Sequence, residues 1–332
     1  MPDGDELIDV LDARVERRTR RRDFFKTAVA GMAAGVGGLA LTGRAAAQTA
    51  TAPSDTDILN FALNLEYLEA QFYTYAFSGA GLAADQLTGT QTQGAVSGAR
   101  KANLTDRQVI QYAREIAADE AAHVASLRRA LGSAAVAQPA IDLSPTVFTA
   151  AATAAGVDLS ASGGVFDPYA NDNNFLIAAY IFEDVGVTAY KGGSPLLTDR
   201  DIIDAAAGIL AAEAFHAGII RGELYRRGVD TPVLRQIAGQ ISDARDQLDG
   251  TTVSAGPPQR VADDDQGIAP VQTTFGTSAN IVPTDADGIV FSRTAEQVHN
   301  IAYLTANAAT SGGFFPAGTN NPNAALRRSG QN

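Results

Sequence analysis

The chain has 332 residues, 45% of them hydrophobic, which is enough for a packed core in one large or two smaller domains. It contains no cysteine, which excludes disulfides, thiolate metal sites, iron–sulfur ligation and thiol nucleophiles. A formal charge of -12 makes nucleic acid and anionic lipid surfaces poor partners, so any chemistry rests on Glu, Asp, His or Tyr.

The N-terminal stretch "TRRRDFFKTAVAGMAAGVGGLALTGRAAAQ" has Arg20, Arg21 and Arg22, then Phe24 and Phe25, an apolar Gly/Ala run, and Ala45 to Ala47. It resembles a twin-arginine export signal, which sets residues 1–47 aside from the fold, with cleavage expected after Ala47. A membrane anchor is the competing reading. The run from Thr27 to Thr42 has 16 residues with four glycines, short of the ~20 apolar residues a spanning helix needs. The mature protein is therefore expected in the periplasm or outside the cell, with no stable membrane insertion after cleavage.

The elements after residue 53 read as helices. "SDTDILNFALNLEYLEAQFYTYAF" opens on an N-cap candidate, Ser54, and aligns Ala62, Glu66, Glu69, Tyr73 and Ala76 on one face. After a loop, "LTDRQVIQYAREIAADEAAHVASLRRALG" opens on a capping-box pattern from Thr105 to Gln108 and closes at Gly132. "NFLIAAYIFEDVGVTAYKGG" aligns Ala179, Glu183, Gly186 and Tyr190. "LTDRDIIDAAAGILAAEAFHAGIIRGELYRRG" is expected to end at Gly228, with a fifth helix near residues 231–248.

These helices repeat one unit. "LTDR" occurs twice, and each time its Thr lies 15 residues before the Glu of a Glu-x-x-His pair, Glu120 with His123 and Glu213 with His216. Glu66 precedes Tyr73 by seven residues and Glu183 precedes Tyr190 by seven. Each unit is thus a helical hairpin with Glu and Tyr on one helix and Glu-x-x-His on the other. Short connections within each hairpin and a long crossover between them predict an all-α, ferritin-like four-helix bundle over residues 54–250.

Glu and His at i and i+3 share a helix face, so both reach one ion. Two such pairs with Glu66 and Glu183 place four carboxylates and two imidazoles in the bundle, a set suited to two divalent ions, iron or manganese. Chance alone would place Glu three before both histidines about once in a thousand sequences, although a duplicated hairpin copies a structural Glu–His bond as readily as a ligand pair. Carboxylates on apolar stripes favour metal. Glu69, whose counterpart is Gly186, reads as a partly buried acid behind the ligands, or as a fifth carboxylate near the ions or an alternative ligand. Tyr73 and Tyr190 read as packed residues with satisfied hydroxyls, with bonding to the ligands or a radical role as alternatives. Asp119 and Asp184 each adjoin a proposed ligand and so point off its face.

A third pair, Glu296 and His299, sits with Tyr303 away from the apolar stripe of Val298, Ile301 and Ala302. It reads as a solvated or loop-contacting face. The run Asp263 to Asp265 reads as a solvated turn because it lacks a calcium loop. Residues 251–332 form a Gly/Pro/Asn-rich tail expected to pack on the bundle.

The segments "DILNFALNLEYLEAQFY", "EIAADEAAH", "FEDVGVTAYKGG", "AAEAFHAG", "NIVPTDADGI" and "GGFFPAGTNN" resemble the ferritin-like family of desiccation-related proteins and exported bacterial proteins, over roughly residues 55–320. The resemblance implies that Glu66 with His123 and Glu183 with His216 are terminal ligands and that Glu120 and Glu213 bridge. The extra helix and tail argue against a cage that stores iron; a smaller homo-oligomer stays open. Three functions remain: oxidoreductase chemistry with oxygen or peroxide, ferroxidase-like or catalase-like; stress protection with a structural or absent metal; and metal sequestration.

Overall fold

Ser54 caps the first helix with a capping box, its hydroxyl accepting from Asp57 N–H while the Asp57 carboxylate takes Ser54 N–H. In this computed structural model, which describes residues 52–250 and 264–332, that helix is α1, Asp55–Ser78. It is followed by α2, Arg107–Leu131; α3, Pro145–Ala154; α4, Asp172–Gly193; α5, Arg200–Asp230; α6, Val233–Asp249; and α7, Ala295–Ala302. The fold is an all-α, ferritin-like bundle. The expected export signal at residues 1–47 and Asp263 lie outside the described residues.

Helix α1 packs most closely on α2, and α4 on α5, which gives the two hairpins. Their burial differs by position. Residues 58–73 of α1 and 175–190 of α4 are buried on every side, whereas α2 and α5 keep an exposed outer face. A helix buried all round needs a second cover, and the tail provides it. Phe61 and Leu65 of α1 and Val185 and Ala189 of α4 cluster with Val298 and Ile301 of α7 and with Leu326.

The repeated LTDR turns join the hairpins. Asp172, at the start of α4, accepts from the backbone N–H of Thr105 and Asp106, and Asp55, at the start of α1, accepts from those of Thr198 and Asp199. The turn of each hairpin is held by the first helix of the other. This use of Thr105 moves the cap by one residue. Asp106, rather than Thr105, caps α2 by accepting from Gln108 N–H, just as Asp199 caps α5.

Two further expectations change. The connection from α1 to α2 spans residues 79–106 and is not short. It runs beside the crossover, pairing Val96 and Ser97 of β1 (Val96–Ser97) in parallel with Ile141 and Asp142 of β2 (Ile141–Asp142). Buried Asn60 on α1 fastens this layer through Ala134 O and Val136 N–H, and Asn64 fastens the tail through Asn320 O and N–H. Helix α5 continues through Gly228 to Asp230. By length and composition α5 could cross a membrane, yet its buried face carries Glu213, His216 and Arg221 into the bundle.

Asp264 and Asp265 are buried rather than solvated. Asp265 accepts from Arg245 of α6 at 2.7 and 2.8 Å and from Arg293, which lies before α7. Arg245 also reaches Asp184 of α4 at 3.0 Å, Arg221 of α5 reaches it at 2.7 Å, and Arg293 reaches Asp249 at 2.6 Å. Three buried guanidiniums thus lock α4, α5, α6 and the tail together, and Asp184 does point off the ligand face of α4.

Candidate metal centre

The six residues singled out by spacing meet at the bundle axis. Glu66, Glu120, Glu183 and Glu213 are fully buried, His216 is 3% exposed, and the His123 side chain is 12% exposed. His123 Nδ1 stands 3.2 Å from Glu66 Oε2, 3.5 Å from Glu120 Oε2 and 3.7 Å from Glu213 Oε1. His216 Nδ1 stands 3.0 Å from Glu120 Oε1 and 3.6 Å from Glu183 Oε2. Donor atoms of Glu66, Glu120, His123 and Glu213 lie within 4.8 Å of one another, as do those of Glu120, Glu183, Glu213 and His216. Glu120 and Glu213 belong to both groups.

These atoms fit metal better than they fit one another. Both oxygens of Glu120 and of Glu213, Oε2 of Glu66 and of Glu183, and Nδ1 of both histidines are buried without a hydrogen bond from the protein. Orphaned polar atoms in a dry interior are costly. Two shared groups of carboxylate and imidazole donors are what adjacent divalent ions require.

Burial first, and mutual repulsion after it, holds the Glu120 and Glu213 carboxyls well above the usual range, and burial pushes Glu183 up to about 8. Burial acts the same way on Glu66, but the His123 imidazole 3.2 Å away outweighs it and holds Glu66 low. His123 is raised in turn, burial opposing and Glu66 prevailing, whereas burial lowers His216. Without metal the centre keeps protons; metal would replace them.

A ferritin-like domain profile matches residues 54–226, just over half of the chain and all six of these residues. The chain belongs to the ferritin-like family. It is 32% identical over 277 residues to the desiccation-related protein PCC13-62 of Craterostigma plantagineum, covering 79% of this chain and 82% of that one. It is 30% identical over 279 residues to the ferritin-like catalase Nec2 of Nesocodon mauritianus, covering 80% and 84%. No solved structure matches the chain at a significant level.

The surroundings of this ferritin-like centre cross between hairpins. Tyr73 donates to Glu183 Oε1 and Tyr190 to Glu66 Oε1, so each tyrosine fixes the glutamate of the other hairpin. Both hydroxyls are satisfied and both touch the donor set. Glu69 is more buried than the sequence suggests, at 4% exposed, and stands outside both donor groups. A Cβ on Gly186 would lie 2.3 Å from Glu213 Oε2 and 3.3 Å from Glu69 Oε1, so a side chain there would displace the Glu213 carboxyl.

Spacing alone misses Asp119. It does point off the face of Glu120, but α5 brings His216 Nε2 to 3.2 Å from its carboxylate. With Nδ1 holding a metal ion among the glutamates, Nε2 would carry the proton and donate to Asp119, which would fix the ring. The signal available beforehand was an asymmetry of the repeats, since Ala212 stands where Asp119 stands in the first hairpin. Replacing Asp119 with Ala is expected to weaken metal binding at the His216 position about 10- to 100-fold while sparing the His123 position. A two-site chelator competition titration reads this out.

His299 belongs elsewhere. Glu296 is the solvated member of its pair, bonding exposed Arg328 at 3.0 Å. His299 itself is fully buried, so of the solvated and loop-contacting readings the loop contact holds for it. Nδ1–H donates to Ala295 O at 2.8 Å, and Nε2 accepts from Thr319 at 3.0 Å. Tyr303 is buried beside it, bonded to Thr319 and Arg327 O. Burial lowers His299 to about 4, which keeps the ring neutral inside the tail.

Proposed function

We propose that this ferritin-like protein is an exported dimetal oxidoreductase that breaks down hydrogen peroxide. The observation that carries the reading is the pair of histidine-anchored donor groups joined through Glu120 and Glu213. Similarity to a ferritin-like catalase supports peroxide as the substrate. Glu66 and His123 would hold one ion and Glu183 and His216 the other, with Glu120 and Glu213 shared. Bound as a pair, redox-active iron or manganese supplies two-electron exchange, so that one peroxide is oxidised to dioxygen and another reduced to water. Tyr73 and Tyr190 hold the terminal carboxylates, and Asp119 keeps the His216 proton on the nitrogen that faces away from the centre. The buried helices α1 and α4 and the tail above them keep bulk water out.

The test is metal analysis of the purified chain with dioxygen release on peroxide addition. Metal is expected to fall substantially in His123→Ala and in His216→Ala but not in His299→Ala. Equal metal in all three variants would sink the assignment. Likeness to a desiccation-related protein supports a second reading, stress protection with a structural metal. Bound metal with neither dioxygen release nor oxidation of added Fe(II) would favour it. Export by the twin-arginine route belongs to the same proposal. Replacing Arg21 and Arg22 with Lys is expected to leave the protein in the cytoplasm, and mature protein outside it would refute the route.

A further inference from the structure

A small apolar cavity lies along α1 and α4, the helices that do not carry the two histidines of the centre. Leu65 and Val185 wall it from the bundle, and Val298, Ala302 and Phe314 close it from the tail. At its edge stands one ionisable group, Glu69. The Glu69 carboxyl is buried and receives no hydrogen bond from the described residues, although a carboxyl in an apolar wall needs one. The cavity leaves about 30 Å³ for the centres of water-sized molecules. A single water needs ~10–15 Å³ by that measure, so a guest of about two heavy atoms fits and a branched organic one does not.

The cavity also borders the centre. Glu69 Oε1 and Glu213 Oε2 both lie within 3.3 Å of the point where a side chain on Gly186 would begin. Glu69, which lines the cavity, thus stands near a carboxylate shared by both donor groups. A carboxyl, protonated or ionised, is satisfied by a guest that both donates and accepts hydrogen bonds, which favours hydrogen peroxide over dioxygen.

We propose that this cavity is the holding pocket for hydrogen peroxide, that Glu69 is the carboxyl to which the substrate bonds there, and that the tail sets its size limit through Val298, Ala302 and Phe314. The inference rests on the peroxide reading above. It gives Glu69 and the tail separate tasks: one orients the guest and the other excludes larger hydroperoxides.

The test uses the whole metal-loaded chain. Crystals of the wild type under xenon pressure should hold xenon in this cavity, and Ala302→Leu, which fills it, should not. Glu69→Leu is expected to raise the KM for hydrogen peroxide about tenfold, the loss of one hydrogen bond to the substrate, while Glu69→Gln keeps most of the affinity. Metal content should be unchanged in both. The wild type should reject tert-butyl hydroperoxide and Val298→Ala should admit it. Absence of xenon from the wild-type cavity, or a KM unchanged in both Ala302→Leu and Glu69→Leu, would overturn the proposal. Xenon in the cavity of a chain that binds metal but consumes no peroxide would overturn the peroxide assignment together with the reading it rests on, and would leave a pocket for another small guest.

Discussion

Removing metal is expected to lower the melting temperature, and by more at pH 8 than at pH 5. Glu183 is raised to about 8 by burial, and Glu120 and Glu213 are raised well above the ordinary range. A carboxyl whose folded pKa exceeds its unfolded value binds its proton more tightly in the folded state. Without metal, stability is then fully present below about pH 4.5 and falls as pH rises, by about 1.4 kcal/mol per pH unit for each such carboxyl that keeps its proton. Metal takes the place of those protons, so the loaded protein loses stability in the opposite direction, as pH falls. Metal at 100 times its dissociation constant adds about 2.7 kcal/mol by mass action, or roughly 5–10 °C for a bundle of this size. Melting curves of chelated and Mn(II)- or Fe(II)-restored protein across this pH range are the measurement. Glu183→Gln should flatten the slope of the chelated protein. A chelated protein that melts like the loaded one at pH 8 would contradict charge compensation at the centre.

Replacing Arg293 with Ala is expected to cost about 3–5 kcal/mol, the usual cost of removing one partner from a buried ion pair. Its side chain is fully buried, bonded to Asp249, Asp265 and Thr188 Oγ1. Arg245 and Arg293 hold Asp265 down to about 2 against burial, which acts to raise it. That contribution is present above about pH 4 and is lost as pH falls toward 2. Arg328→Ala is the control. Arg328 and Glu296 are 56% and 45% exposed, and such a pair is worth about 0–1 kcal/mol. Urea unfolding of both variants separates the cases. A loss for Arg293→Ala no larger than for Arg328→Ala would show that the buried network does not hold the tail.

Much of the fold is legible where the physics is local. Ser54 marks the start of α1 and Gly132 the end of α2 because capping involves residues within one turn. Glu120 with His123 and Glu213 with His216 share a face because the helix repeat sets it. Misreadings arise where a distant segment competes for a group. Thr105 looks like a cap, but Asp172 takes its hydroxyl, so Asp106 becomes the cap. Whether His299 is solvated or loop-contacting is decided only when Thr319 of the tail folds against it.

What the sequence by itself determined is the set of helices, the repeat of the hairpin and the six residues with the right donor atoms, because each depends on spacing along one helix or on comparing two. Only the tertiary structure decided that Tyr73 bonds the glutamate of the other hairpin, that Asp119 meets His216, that Asp265 is buried among arginines, and that Glu69 faces a cavity closed by the tail. Those outcomes depend on which helix faces lie opposite one another. Facing is set by the packing of segments more than 60 residues apart in three of these cases, and about 20 apart for Asp265 and Arg245, so no periodicity along one helix encodes it.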